Sequence, residues 1–120
     1  MMPMDIREAW EEAGPLIAAA LEGFEDSPID VLLDCIEGRS FFFASERSFS
    51  VIRPVLSDML ILVAVSRGAQ DCIAAELSEI KAVAKGMGGK RAVFHTKRPG
   101  FERKMPQDWS IHHVVWATEL

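Results

Sequence analysis

Met59-Leu60-Ile61-Leu62-Val63-Ala64-Val65 is an unbroken apolar run; Ser66-Arg67-Gly68 interrupts it, and Ile73, Leu77, Ile80, Ala84 and Met87 then recur at intervals of four and three. The run is far short of the ~20 apolar residues that span a bilayer and suits a strand covered on both faces. The recurrence after it is that of a helix lying on a sheet, and Gly86, Gly88 and Gly89 punctuate its end. Arg91 to His95 reads as a short returning strand. A strand, a helix and a strand of these lengths imply a parallel, right-handed crossover.

Upstream of the run, Ser40 to Ser45 and Phe49 to Leu56 are rich in aromatic and β-branched residues. Glu46-Arg47-Ser48 is the expected turn between them and Ser57-Asp58 the expected turn into Met59, which makes a meander of three antiparallel strands. Farther back, Ser27 as N-cap, Pro28 at the first helical position and Asp30 two residues on mark a helix start before Leu32, Leu33 and Ile36, and Gly38 ends that helix. Ile6, Ala9, Trp10, Ala13, Ile17, Ala20, Leu21 and Phe24 form a helical stripe over 5–13 and 16–24, and Gly14-Pro15 leaves either one bent helix or two short ones. Downstream, Pro99 to Met105 reads as a turn or two of helix and Trp109 to Ala117 as one closing antiparallel strand. Residues 1–120 are therefore expected to form a single α+β domain, a mixed twisted sheet flanked by helices.

With 120 residues, 49% hydrophobic and 26% charged, the chain has the material for a core and lacks the composition of a disordered one. Asp5 to Glu12 is acidic, unlike the cationic start of a signal peptide, and a cytoplasmic location is expected. Cys35 and Cys72 lie in apolar helical patterns and read as buried thiols. Ten acids against Arg7 give residues 5–37 a charge of −9, and eight bases against Glu102 give residues 81–104 a charge of +7. The two segments either attract each other or present one face to an ionic ligand. A basic run alone is no nucleic-acid signature: zinc-finger spacing is lacking, and Phe94 and Phe101 read as core.

The order of elements carries a resemblance, together with the glycine turn after the central strand, Ile36-Glu37-Gly38-Arg39 before an aromatic strand, and Arg98-Pro99-Gly100-Phe101-Glu102-Arg103 after the next one. From about Asp5 to Trp116 the chain resembles the GNAT (Gcn5-related N-acetyltransferase) superfamily, in particular the small GNAT-like proteins of tailed bacteriophages and prophages. The resemblance implies a GNAT-like fold and an acetyl-CoA site. Arg67, Gly68, Ala69, Gln70 and Cys72 would hold the pyrophosphate with the first amides of the following helix, while Ile61 to Val65, with Val63 and Val65 among the contacts, would pair with the pantetheine arm.

The chain departs from that family at three points. The phosphate turn has one Gly, Asp71 sets a carboxylate inside it and is itself a natural N-cap, and the Tyr that many members use as an acid has no counterpart, since the chain contains no Tyr. Cys72, Ser66 or a water held by His95 are the alternatives for that acid, and Glu46 and Asp58 for a base, although both carboxylates equally suit solvated turns. The departures point to a phage-type protein without efficient acetyl-CoA chemistry, working through protein contacts in virion structure or assembly. The alternative is an active N-acetyltransferase on a small amine or a protein amino group, for which the acidic amino-terminal third favours a cationic acceptor.

Other clusters carry blander readings. His112 and His113 are adjacent, so in one strand they face opposite ways and make no metal pair, and Glu11-Glu12 suits a solvated helix face. Phe41, Phe42 and Phe43 occupy both faces of a strand, and the core accounts for two of them. The third, with Trp116, is an anchor for self-association or for docking on a phage structural protein.

Overall fold

The computed structural model describes residues 1–68, 73–95, 110–112 and 115–120. A two-residue strand, β1 (Met2–Pro3), precedes helices α1 (Ile6–Ala20) and α2 (Pro28–Ile36). The meander β2 (Phe41–Ala44), β3 (Ser48–Val55) and β4 (Asp58–Ser66) follows, then α3 (Ile73–Gly86), β5 (Arg91–His95), β6 (Ser110–His112) and β7 (Val115–Glu119). The strands form one sheet in the order β1-β2-β3-β4-β5-β7-β6. Among the described residues its one parallel pair is β4 with β5, as the crossover through α3 requires.

Local chemistry sets the helix ends. Asp5 caps α1 by accepting from the Arg7 amide, and α1 continues through Pro15 as one helix that stops at Ala20. Ser27 and Asp30 form a reciprocal capping box on α2, with Pro28 at the first position, where its missing N–H costs nothing. Gly38 (φ 79°) and Gly88 (φ 87°) close α2 and α3 in the left-handed region, each letting the next amide bond back to the helix: Arg39 to Asp34 at 2.9 Å and Gly89 to Ala84 at 3.2 Å.

Two sequence expectations are corrected. The β3–β4 turn is Leu56-Ser57, because Val55 pairs with Asp58, and Leu56 takes φ 58° with 98% of its surface exposed. The closing strand is two strands: Ser110 pairs with Ala117 and His112 with Val115, so the chain reverses between them and β7 returns along β5. Alternation of apolar residues is the same for one long strand and for two short antiparallel ones, so the sequence alone does not separate them. His113, the helix expected over Pro99 to Met105 and the Arg98–Arg103 phrase lie outside the described residues.

The core has two layers. Ile6, Ala9, Ala13 and Ile17 of α1 pack with Val31, Phe42, Phe49, Val51, Val63 and Val65 on one face. Leu77, Ile80 and Ala84 of α3 pack with Phe43, Ile52, Met59, Ile61, Ala92 and Phe94 on the other. Odd-numbered residues of β4 thus serve both layers, which a regular strand cannot do. The cause is one extra residue: Val63 lies opposite Val51 and Ile61 opposite Ile52, leaving Leu62 as a bulge that switches the face. Asp34 fastens α2 to the sheet, accepting from Arg39 Nε at 3.0 Å, from Ser40 Oγ at 3.0 Å and from Arg53. Burial pushes its carboxyl up, and the donors from Arg39, Arg53 and Ser40 together more than reverse this, holding it below the usual carboxylate range.

Candidate functional site

The bulge also determines where the sheet opens. β4 and β5 pair from Asp58–Arg91 to Ile61–Phe94, and the pairing stops at Leu62. β4 then runs on to Ser66, so among the described residues its edge from Leu62 to Ser66 has no strand beside it on the β5 side. Such an edge presents backbone N–H and C=O groups that need partners. Val63 and Val65, expected to touch a cofactor, are 1% and 6% exposed with their side chains in the α1 layer. What they offer a ligand is main chain.

Ser66, Arg67 and Gly68 end the strand, and α3 begins at Ile73. Ala69, Gln70, Asp71 and Cys72, the rest of the expected pyrophosphate turn, lie outside the described residues. Arg67 does lie at this end, held by three partners. Its Nε and Nη2 donate to Glu12 at 2.9 and 2.7 Å, its Nη1 donates to the Ser45 carbonyl at 2.7 Å, and its guanidinium lies 4.4 Å from the centre of the Phe49 ring. Hydrogen bonding to Arg67 holds the Glu12 carboxyl below its usual range, and Glu12 raises Arg67 in turn. Phe49 is buried and stacks on Phe42 with ring centres 5.3 Å apart, so the platform under Arg67 is rigid.

The candidate acids and bases are dispersed. The Ser66 hydroxyl donates to Glu76 on the first turn of α3, a carboxylate only 3% exposed, so its proton is directed into the protein. Asp58 is at the far end of β4 and accepts from Arg91 at 2.8 and 3.3 Å. Glu46 lies in the exposed β2–β3 turn, on the same end of the sheet as Arg67, and the His95 side chain is outside the described residues. The structure therefore gathers Ser66, Arg67, Glu12 and Glu76 at one end of β4 and leaves Asp58 a strand length away.

Sequence reasoning missed Glu12, Phe49, Glu76 and the Leu62 bulge. Glu76 carried a usable signal, since it directly precedes Leu77 of the apolar ladder and so borders the face of α3 that meets the sheet. Beside Arg67, a cleft of about 320 Å³ is lined by Met4, Glu8, Ala9, Glu11, Glu12 and Phe49. Glu8, Glu11 and Glu12 there make the α1 side of the strand acidic.

No protein-family model matches the chain, and no curated protein matches it. Among solved structures it is similar to the PaiA N-acetyltransferase of Thermoplasma acidophilum in complex with coenzyme A. The similarity has a TM-score of 0.58 at 12% identity and covers 100% of this chain and 96% of that one. The mixed sheet split between its central parallel strands, with helices on both faces, is accordingly the fold of the GNAT N-acetyltransferases.

Proposed function

We propose that this chain binds acetyl-CoA in the opening between β4 and β5 and transfers the acetyl group to an amine. The observation that carries the reading is the β4 edge from Leu62 to Ser66, which among the described residues has no strand beside it on the β5 side and offers main-chain groups at the spacing of an added strand. The amide-bearing pantetheine arm of coenzyme A is an extended chain that satisfies such an edge. The PaiA enzyme of the same fold, described with coenzyme A bound, supports the choice of ligand. When bound, the cofactor supplies a thioester whose acyl carbon an amine attacks. This chain's own part is to align the arm along β4, to hold the anionic end near Arg67 and the start of α3, and to draw a cationic acceptor with Glu8, Glu11 and Glu12.

A second reading is favoured by one observation: three of the five N–H donors of Arg67 are already committed to Glu12 and Ser45. In that reading the fold persists without its cofactor, and the chain works through protein contacts, as in the virion role implied by the phage resemblance. Isothermal titration with acetyl-CoA at low salt separates the two. Micromolar binding, followed by release of free thiol when amines are added, is the expected result. Absence of heat and of any thermal shift at millimolar ligand would overturn the first reading in favour of the second.

A further inference from the structure

Helix α2 is apolar on two sides. Val31 is fully buried, and Leu32 and Cys35 pack toward the α1 layer, whereas Ile29, Leu33 and Ile36 are 56%, 46% and 47% exposed. Spacings of four and three residues align those three as one stripe on the side away from Val31. A helix that is apolar on both sides is normally covered on both sides. At the carboxyl end of the stripe, a groove of about 650 Å³ separates α2 from β3, bordered by Arg39, Arg53, Pro54 and the half-exposed Phe41.

Two features say what covers the stripe. It is close to symmetric about Leu33, so a second α2 laid antiparallel across it sets Ile29 of each copy against Ile36 of the other. The charges favour the same arrangement. The amino end carries Glu25, Asp26 and Asp30, a charge of −3, while the carboxyl end balances Asp34 and Glu37 with Arg39 and Arg53 and is neutral. Antiparallel packing brings each triply acidic end onto the other copy's guanidinium-rich end, where the Arg39 side chain is 63% exposed, and sets the two helix dipoles antiparallel, with each positive end beside the other's negative end. Parallel packing would set acids against acids.

We propose that α2 is the two-fold interface of a homodimer of this chain, with Leu33 at its centre, Ile29 and Ile36 on either side and Phe41 at its rim. The inference is independent of the cofactor reading. It adds α2 to the expected anchor in the meander: Phe42 and Phe43 are spent in the core, Phe41 is the half-exposed third, and the Trp116 side chain is outside the described residues. A nine-residue helix and a groove make an interface smaller than the ~800 Å² per partner of standard complexes, so the dimer forms in the micromolar range.

Sedimentation velocity across the micromolar range tests the proposal on the whole chain. The wild type shifts from monomer to dimer with concentration, and Leu33→Glu weakens the dimer by more than about thirtyfold with an unchanged far-ultraviolet spectrum. Leu33→Cys, under mild oxidation, gives an intermolecular disulfide across the two-fold axis, while Glu22→Cys in the exposed turn after α1 gives none. A wild type that stays monomeric throughout would overturn the proposal and leave the stripe to a different partner. A dimer indifferent to Leu33→Glu, or a Leu33→Cys chain that does not cross-link, would overturn it equally.

Discussion

Arg67 at the end of β4 and Glu12 on α1 are joined by two hydrogen bonds, of 2.9 and 2.7 Å, across 55 residues of sequence. The pair clamps the first helix to the tip of the central strand, just beyond the opening beside β5. Both groups face solvent, so the clamp is sensitive to salt and to acid.

The acid sensitivity has a definite sign. The folded-state pKa of Glu12 is depressed, so its contribution is fully present above the unfolded value and is lost as pH falls through the folded value. The melting temperature of the wild type is therefore expected to exceed that of Glu12→Gln at neutral pH, with the gap closing below about pH 4. Thermal melts of both chains from neutral to acid pH check it; a gap constant down to strongly acid pH would refute the ionic account.

The same clamp competes with any anion at the end of β4. If acetyl-CoA places its phosphates there, Glu12→Gln frees donors of Arg67 and tightens binding by about threefold to tenfold, whereas Arg67→Ala weakens it. Titration calorimetry of the two variants provides the comparison. Equal affinities in all three chains would assign Arg67 to structure alone.

Leu56 occupies the left-handed region in a two-residue hairpin turn, where an L-residue with a bulky side chain is strained, and its exposure means that little packing compensates. Leu56→Asn is expected to stabilise the protein by about 0.5–1 kcal/mol, read from urea denaturation midpoints. Loss of stability would show that the Leu56 side chain has a contact that outweighs the backbone.

Cys35, half-buried on α2, has its thiol pushed up to about 11 by burial and then by the neighbouring Asp34 charge. About one thousandth of it is ionised at pH 8, so modification by a thiol reagent is slow in the folded protein and fast in denaturant. Peptide mass mapping separates its labelling from that of Cys72. Rapid labelling of Cys35 under native conditions would contradict its burial.

What the sequence disclosed and what it withheld divide along a physical line. Local chemistry was legible: Ser27, Pro28 and Asp30 read as a capped helix start and form one, and the ladder from Leu77 to Ala84 packs on the sheet as its spacing requires. The parallel crossover followed from segment lengths. Register was not legible. In a run where every residue from Met59 to Val65 is apolar, nothing marks Leu62 as the extra one, and that bulge is what ends the β4–β5 pairing. Long-range polar pairs were equally hidden, because Glu12 and Arg67 look like ordinary surface charges until the fold brings them together. Gly68 and Arg67 do stand at the expected end of the central strand, which is as far as the described part of the turn extends.

The Leu62 bulge has an evolutionary consequence. By switching the face that β4 presents, it lets a single strand supply Val63 and Val65 to one helical layer and Met59 and Ile61 to the other. Restoring a regular register would expel one of those pairs from its layer, so selection for a folded chain alone preserves the irregularity. The gap beside β5 is inherited with it, whether or not a ligand still exerts selection on the site. An architecture of this kind keeps its cleft even where the chemistry is lost, so turnover is to be judged from side chains that the core does not need.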